Sequence, residues 1–245
     1  MADRKAFIIN VGANASHGAL RSPIFDDGTF FFVPIPEVDP DAAVSGRVLR
    51  YRDILPDALR YIPAAYHDAM THNDPDFETF TYGDYPVSRG RPGLLKQISE
   101  GDYLCFLARL VGWSRKDGGF TDRAGFYIVG YFEVGDVFRD VTISSPRPVL
   151  KAVANNAHVR RLSEWYDDAG WIIKGTPNSR LLSRAMPFDR KLADSLMRDR
   201  NGERWVWDPT RTELQVIGSY TRSCRMIDDP DRVAPLLREL QKYVR

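Results

Sequence analysis

Two runs decide the fold: Gly101-Asp102-Tyr103-Leu104-Cys105-Phe106-Leu107-Ala108-Arg109-Leu110 and Phe126-Tyr127-Ile128-Val129-Gly130-Tyr131-Phe132-Glu133-Val134. Both are rich in aromatic and branched apolar residues, and a polar, glycine-containing loop from Ser114 to Gly125 lies between them. That pattern predicts an antiparallel strand pair. Gly130, inside the second run, predicts a bulge or a close backbone approach, as expected where a sheet curls.

Outward from this pair, a strand is expected over Ala6–Val11, ended by the polar run Gly12-Ala13-Asn14-Ala15-Ser16. Another is expected over Thr29–Ile35, after the turn signal Asp26-Asp27-Gly28. Helical periodicity from Asp53 to Met70 is interrupted by Pro56 and Pro63, which predicts short helices. Phe77–Tyr82 reads as extended, Lys151–Tyr166 as a helix and Trp171–Lys174 as a strand. Arg190–Arg200 reads as a charged helix, Leu214–Ile217 as a strand continuing toward Met226, and Val233–Tyr243 as a closing amphipathic helix. No repeat or long linker interrupts the pattern. The expectation is a single domain over residues 1–245, α+β in class, with a mixed β-barrel or strongly curved sheet surrounded by helices.

The 245 residues carry 34 basic and 33 acidic side chains, a formal net charge of +1. A protein that coats duplex DNA usually carries a clear basic excess. Its absence here predicts a local patch or a small ligand. Cys105 and Cys224 read as buried free thiols, and four scattered histidines offer no zinc-ligand spacing, so neither metal nor cofactor is expected. No apolar segment has the length of a signal peptide or membrane span, which predicts a cytoplasmic protein without a membrane partner. Phosphate-loop, Rossmann, nucleophile-elbow, zinc-protease and deaminase motifs are all missing, which favours binding over catalysis.

The Gly-Asp-aromatic strand, the variable loop and the Ile128-Val129-Gly130-Tyr131-Phe132-Glu133-Val134 strand resemble the PUA-like superfamily, which includes EVE, YTH and ASCH domains. That resemblance implies a PUA-like, EVE-like core with a modified base held in a pocket beside the strands. A broader likeness rests on INVGANASHGALRSPIFDDGTFFFVPIPE, FTYGD, GDYLCFLARL, GFYIVGYFEV and NNAHVRR. Together these are similar to the nucleotide modification associated domain family, third type. The likeness implies a setting of DNA base modification, its synthesis or its sensing, without implying a catalytic residue.

Three groups of residues are candidate nucleotide contacts. Asn10, Asn14, Ser16, His17 and Arg21 follow the first strand; amides match the donor–acceptor edge of a base, and arginine grips phosphate. The same loop also reads as polar side chains capping their own turns. His17 is the candidate for a general acid or base, with no carboxylate partner in the local spacing. Tyr82, Arg89 and Arg91 combine an aromatic with a basic loop, suited to stacking and phosphate pairing or to an ordinary solvated connection. Asn156, His158 and Arg160 lie on an expected helix whose polar face meets either phosphate or solvent. Trp113 is a candidate pocket wall, with Trp165, Trp171, Trp205 and Trp207 as rivals.

These features favour a DNA-binding module that recognises a modified base or nucleotide through a local pocket. The alternatives are an enzyme acting on such a nucleotide through the N-terminal polar loop, and an accessory partner-binding subunit. A concave pocket joining that loop to the central strand pair is what the first two readings require.

Overall fold

The computed structural model describes residues 4–85, 93–164, 167, 170–199 and 201–244. The first half contains β1 (Ala6–Val11), β2 (Ser22–Ile24), β3 (Ile35–Pro36), α1 (Tyr51–Ile54), β4 (Thr71–His72) and β5 (Thr81–Asp84). Next come β6 (Tyr103–Ser114), β7 (Gly119–Val141), α2 (Arg147–Ala152), α3 (Ala157–Arg161), β8 (Gly170–Gly175) and β9 (Arg180–Pro187). The chain continues through α4 (Arg190–Leu196), α5 (Glu213–Tyr220), β10 (Arg225–Ile227) and α6 (Pro230–Gln241).

Eight strands form one mixed sheet in the order β10-β1-β6-β7-β8-β5, with β2 also on β6 and β9 also on β7. β3 and β4 make a separate two-stranded ladder. The α+β class is therefore observed. The expected barrel is not: the path ends on β10 and β5, which do not pair with each other among the described residues, and the sheet stays open.

β6 lies parallel to β1 and antiparallel to β7. Its residues are buried on both faces, which explains the unbroken apolar run. Cys105 and Leu107 pack with Ile8, Ile128 and Met186 under α4 and α6, whereas Leu104 and Phe106 pack with Phe7, Ile9 and Phe132 on the opposite face. Cys105 and Cys224 are both buried and free. The register slips between Phe106 and Leu107, whose partners are Gly130 and Ile128, so Val129 is the extra residue of a bulge. Gly130 also meets close neighbours: a Cβ there would overlap Phe77 Cε1 and lie 2.7 Å from the Arg180 carbonyl oxygen. Both expectations for Gly130 hold.

Other boundaries differ, for local reasons. The strand expected over Thr29–Ile35 does not form: of that stretch only Ile35 enters a strand, β3, and Phe30 makes only an isolated bridge to Ile24; Pro34 withholds a backbone donor that a longer ladder would need. Phe77–Phe80 turns before β5 begins. The helix expected over Lys151–Tyr166 is split into α2 and α3 by Asn156, whose side chain caps α3. Leu214–Ile217 lies in α5, not in a strand. Thr212 and Gln215 form a reciprocal capping box there, which outweighs the β preference of Val216 and Ile217. None of the described helices is long and apolar enough to cross a membrane.

Gly130→Ala should destabilise the protein by roughly 1–3 kcal/mol in urea unfolding, because the methyl group meets backbone as well as a ring. Gly119→Ala, where a Cβ meets nothing within 4 Å, should change stability by no more than about 0.5 kcal/mol. Equal effects at the two positions would contradict this account of the bulge.

Candidate functional site

After β1 the chain turns at Gly12, at a φ of 76°. A Cβ there would lie 2.6 Å from Phe32 Cε2, so the position favours glycine on space as well as on conformation. In the following loop, Asn14 Oδ1 accepts hydrogen bonds from Ser16 N at 2.9 Å and Ser16 Oγ at 2.6 Å. Asn14 N donates to His17 Nδ1 at 3.1 Å. The loop thus caps its own turns, and in doing so presents Asn10, Asn14, Ser16 and His17 to a cavity of about 990 Å³.

The same cavity is lined by Arg109 of β6, Phe126 of β7, and Tyr82, Gly83 and Asp84 of β5. Its remaining wall is α5 and its flanks, where Arg211, Gln215, Gly218 and Arg222 recur at helical spacing along one face. The concavity therefore joins the N-terminal loop to the central strand pair. Arg109 is half-buried, and its side chain and that of Arg222 carry no hydrogen bond or ion pair among the described residues; burial and the nearby charge of Arg21 lower the Arg109 pKa. Arg211 donates to the Gln215 carbonyl.

The cavity also reaches His72, Asp74 and His158. β3–β4 pairing sets His72 opposite Ile35, beside Glu37, and α3 delivers His158. Gly83 N donates to Asp74 Oδ1 at 3.0 Å and to Oδ2 at 3.1 Å, and Asn156 Nδ2 donates to Oδ1 at 2.9 Å. Asn156 Oδ1 meanwhile accepts from His158 N at 2.9 Å. One buried amide thus caps α3 and holds Asp74. His158 Nε2 lies 3.6 Å from Asp74 Oδ2 and 3.2 Å from His72 Nε2.

Behind the imidazoles, His72 Nδ1 is 3.2 Å from Glu37 Oε2, and Arg161 Nη1 donates to that oxygen at 3.1 Å. Arg161 Nη2 donates to Tyr85 Oη at 2.6 Å and lies 3.3 Å from His158 Nδ1. Because guanidinium only donates, His158 Nδ1 accepts and its Nε2 carries the proton. That proton faces His72 Nε2, and the His72 Nδ1–H donates to Glu37.

Burial governs the charges. It pushes the His72 pKa down and that of His158 down to about 3, the latter helped by Arg161, so both imidazoles are neutral. It also pushes Asp74 up to about 7, against the opposing influence of His72 and of the hydrogen bonds from Gly83 and Asn156. For Glu37 burial alone would raise the pKa, but the His72 and Asp39 N–H donors and the charge of Arg161 outweigh it and hold the carboxyl at about 2.

Of the residues anticipated from sequence, Asn10, Asn14, Ser16, His17, Tyr82 and His158 line the cavity. Asn156 stands behind it. Arg21 turns back onto the Gly18 and Leu20 carbonyls, and Arg160 onto Asn155. Trp113 packs edge-on against Tyr61 and Phe120, away from the cavity, and no other described tryptophan lines it. Arg89, Arg91 and Trp165 lie outside the described residues. Glu37, His72, Asp74, Arg109, Arg211, Gln215 and Arg222 were not anticipated. A signal for two of them was present: His72-Asn73-Asp74 places a histidine and a carboxylate two residues apart, the spacing that shares a face in extended chain.

The sequence model of the family described as nucleotide modification associated domain 3 matches residues 5–223, so the chain belongs to that family. Comparison with curated proteins and with solved structures yields no match.

A Cβ on Gly83 would overlap His158 Cδ2 and lie 2.9 Å from Asn156 Oδ1. Gly83→Ala should therefore shift the His158 side-chain NMR signals and destabilise the protein by roughly 1–3 kcal/mol. Unmoved histidine signals with full stability would refute the packing described for this floor.

Proposed function

We propose that this member of the nucleotide modification associated domain 3 family receives a modified nucleotide, free or extruded from a DNA strand, in the cavity beside β6 and β7. The observation that carries the reading is the joining of the Asn10–His17 loop to the central strand pair across one concavity of about 990 Å³. That volume is at the upper end of the range of about 300–1,000 Å³ usual for ligand sites. It suits a nucleotide inserted into the protein rather than a duplex laid across it.

The lining chemistry is consistent with this. Arg109 and Arg222 are cations without partners among the described residues, available to a phosphate. Asn10 and Gln215 supply amides, of which the Asn10 Nδ2 is committed to Thr221 Oγ1 and the Gln215 Oε1 to Thr212 N. An acceptor from the first and donors from the second remain for a base edge. Tyr82 and Phe126 provide the aromatic surface; a tryptophan cage forms no part of the proposal. The net charge of +1 fits recognition of one nucleotide better than electrostatic coating of long DNA. The likeness of the strand pair to PUA-like readers supports the placement of a base beside it, within an open sheet.

One observation favours a second reading, an enzyme acting on that nucleotide. His72, Asp74 and His158 are buried ionisable groups meeting in the same cavity, and strongly shifted groups gather at reactive sites.

Titration calorimetry with modified and unmodified nucleoside monophosphates, and with short oligonucleotides carrying one modified base, tests the proposal. A modified form should bind more tightly than its plain counterpart, and Arg109→Met should weaken binding about tenfold or more, the loss of one charge-assisted hydrogen bond. Absence of binding by every form, or full affinity in both Arg109→Met and Arg222→Met, would overturn it. A changed nucleotide mass after incubation would select the enzyme reading.

A further inference from the structure

We propose that His72, Asp74 and His158 hold a divalent first-row transition-metal ion at the floor of the cavity. The inference deepens the reading of this cavity as the functional site and rests on it. Their ligand atoms all lie within 4.8 Å of one another. The two Nε2 atoms are 3.2 Å apart, and His158 Nε2 is 3.6 Å from Asp74 Oδ2. Ligands bound at about 2.0–2.2 Å around a tetrahedral ion stand at roughly such separations. Two imidazoles and one carboxylate form a borderline donor set, suited to zinc or iron(II) rather than to calcium or magnesium.

The surroundings are built to orient these groups. Glu37 Oε2 faces His72 Nδ1 at 3.2 Å, the carboxylate–histidine arrangement that fixes a metal-binding tautomer. Gly83 N and Asn156 Nδ2 hold the Asp74 carboxylate. The missing side chain of Gly83 leaves the space that His158 occupies. All three ligands line the cavity, so the remaining coordination positions open toward a substrate, as in sites with three protein ligands.

An ion needs the lone pair of His158 Nε2, which carries a proton while Nδ1 accepts from Arg161. Binding displaces it: the proton leaves, or moves to Nδ1 as Arg161 gives up that contact and keeps Tyr85 and Glu37.

The test uses the full chain stripped with EDTA. It is dialysed against Zn(II), or anaerobically against Fe(II), and counted by elemental analysis, with Co(II) as a spectroscopic probe. A single ion per chain should remain for at least one of Zn(II) and Fe(II), and His72→Gln and Asp74→Asn should each lower the affinity at least tenfold. If those variants fail to fold, histidine NMR of the wild-type chain decides the matter. Of the four histidines, His72 and His158 should move on adding Zn(II), while His17 and His67, identified through His17→Ala and His67→Ala, should not. No retained ion, or an ion that leaves the His72 and His158 signals unmoved, would overturn the assignment. Nucleotide binding measured in EDTA separates the two readings: loss of the metal site leaves Arg109-dependent binding intact, and an absent nucleotide site leaves ion binding intact.

Discussion

The cavity floor depends on how the Asp74 carboxylate is received. A carboxylate buried from water without partners would cost several kcal/mol, and neutralisation would be its simplest escape. Here Gly83 N and Asn156 Nδ2 supply donors, while burial still drives the pKa up to about 7. Those two contacts tie together the segment after β4, strand β5 and the start of α3. Asn156 cannot change sides without releasing the α3 cap, because its other amide atom accepts from His158 N. The polar floor and the local fold are one construction.

Larger features place that construction. The β6–β7 pair, buried on both faces, provides a scaffold from which Arg109 and Phe126 project into the cavity. β1, parallel to β6, ends where Gly12 turns the chain into the loop that lines the cavity. α5 closes the opposite wall with a polar stripe. Charge is partitioned accordingly: Arg109 and Arg222, whose side chains have no partner among the described residues, stand in the wall, whereas Arg161 is spent internally, on Glu37 and Tyr85. The first group is available to a ligand; Arg161 shapes the protein.

Much of this was legible in the sequence where the signal is local. The central strands, β1 and the bulge beside Gly130 follow from apolar runs and a glycine inside one of them. The N-terminal loop was readable as a cavity wall because its polar residues are contiguous. The α5 helix was misread because Val216 and Ile217 look β-prone, although the Thr212–Gln215 box marked a helix start. The His72–Asp74–His158 floor was beyond local reading for a different reason. Its third member is 84 residues from Asp74 along the chain, and only the β3–β4 ladder, β5 and α3 bring the three together. Barrel closure depends on edge strands, whose pairing no strand-pair pattern encodes.

The most direct measurement is a crystal structure of the protein grown with a modified nucleoside monophosphate. The account predicts the ligand between the Asn10–His17 loop and α5, with its phosphate on Arg109 or Arg222 and its base directed toward the His72–Asp74–His158 floor. A nucleotide bound elsewhere on the molecule, with this cavity holding only solvent, would contradict it.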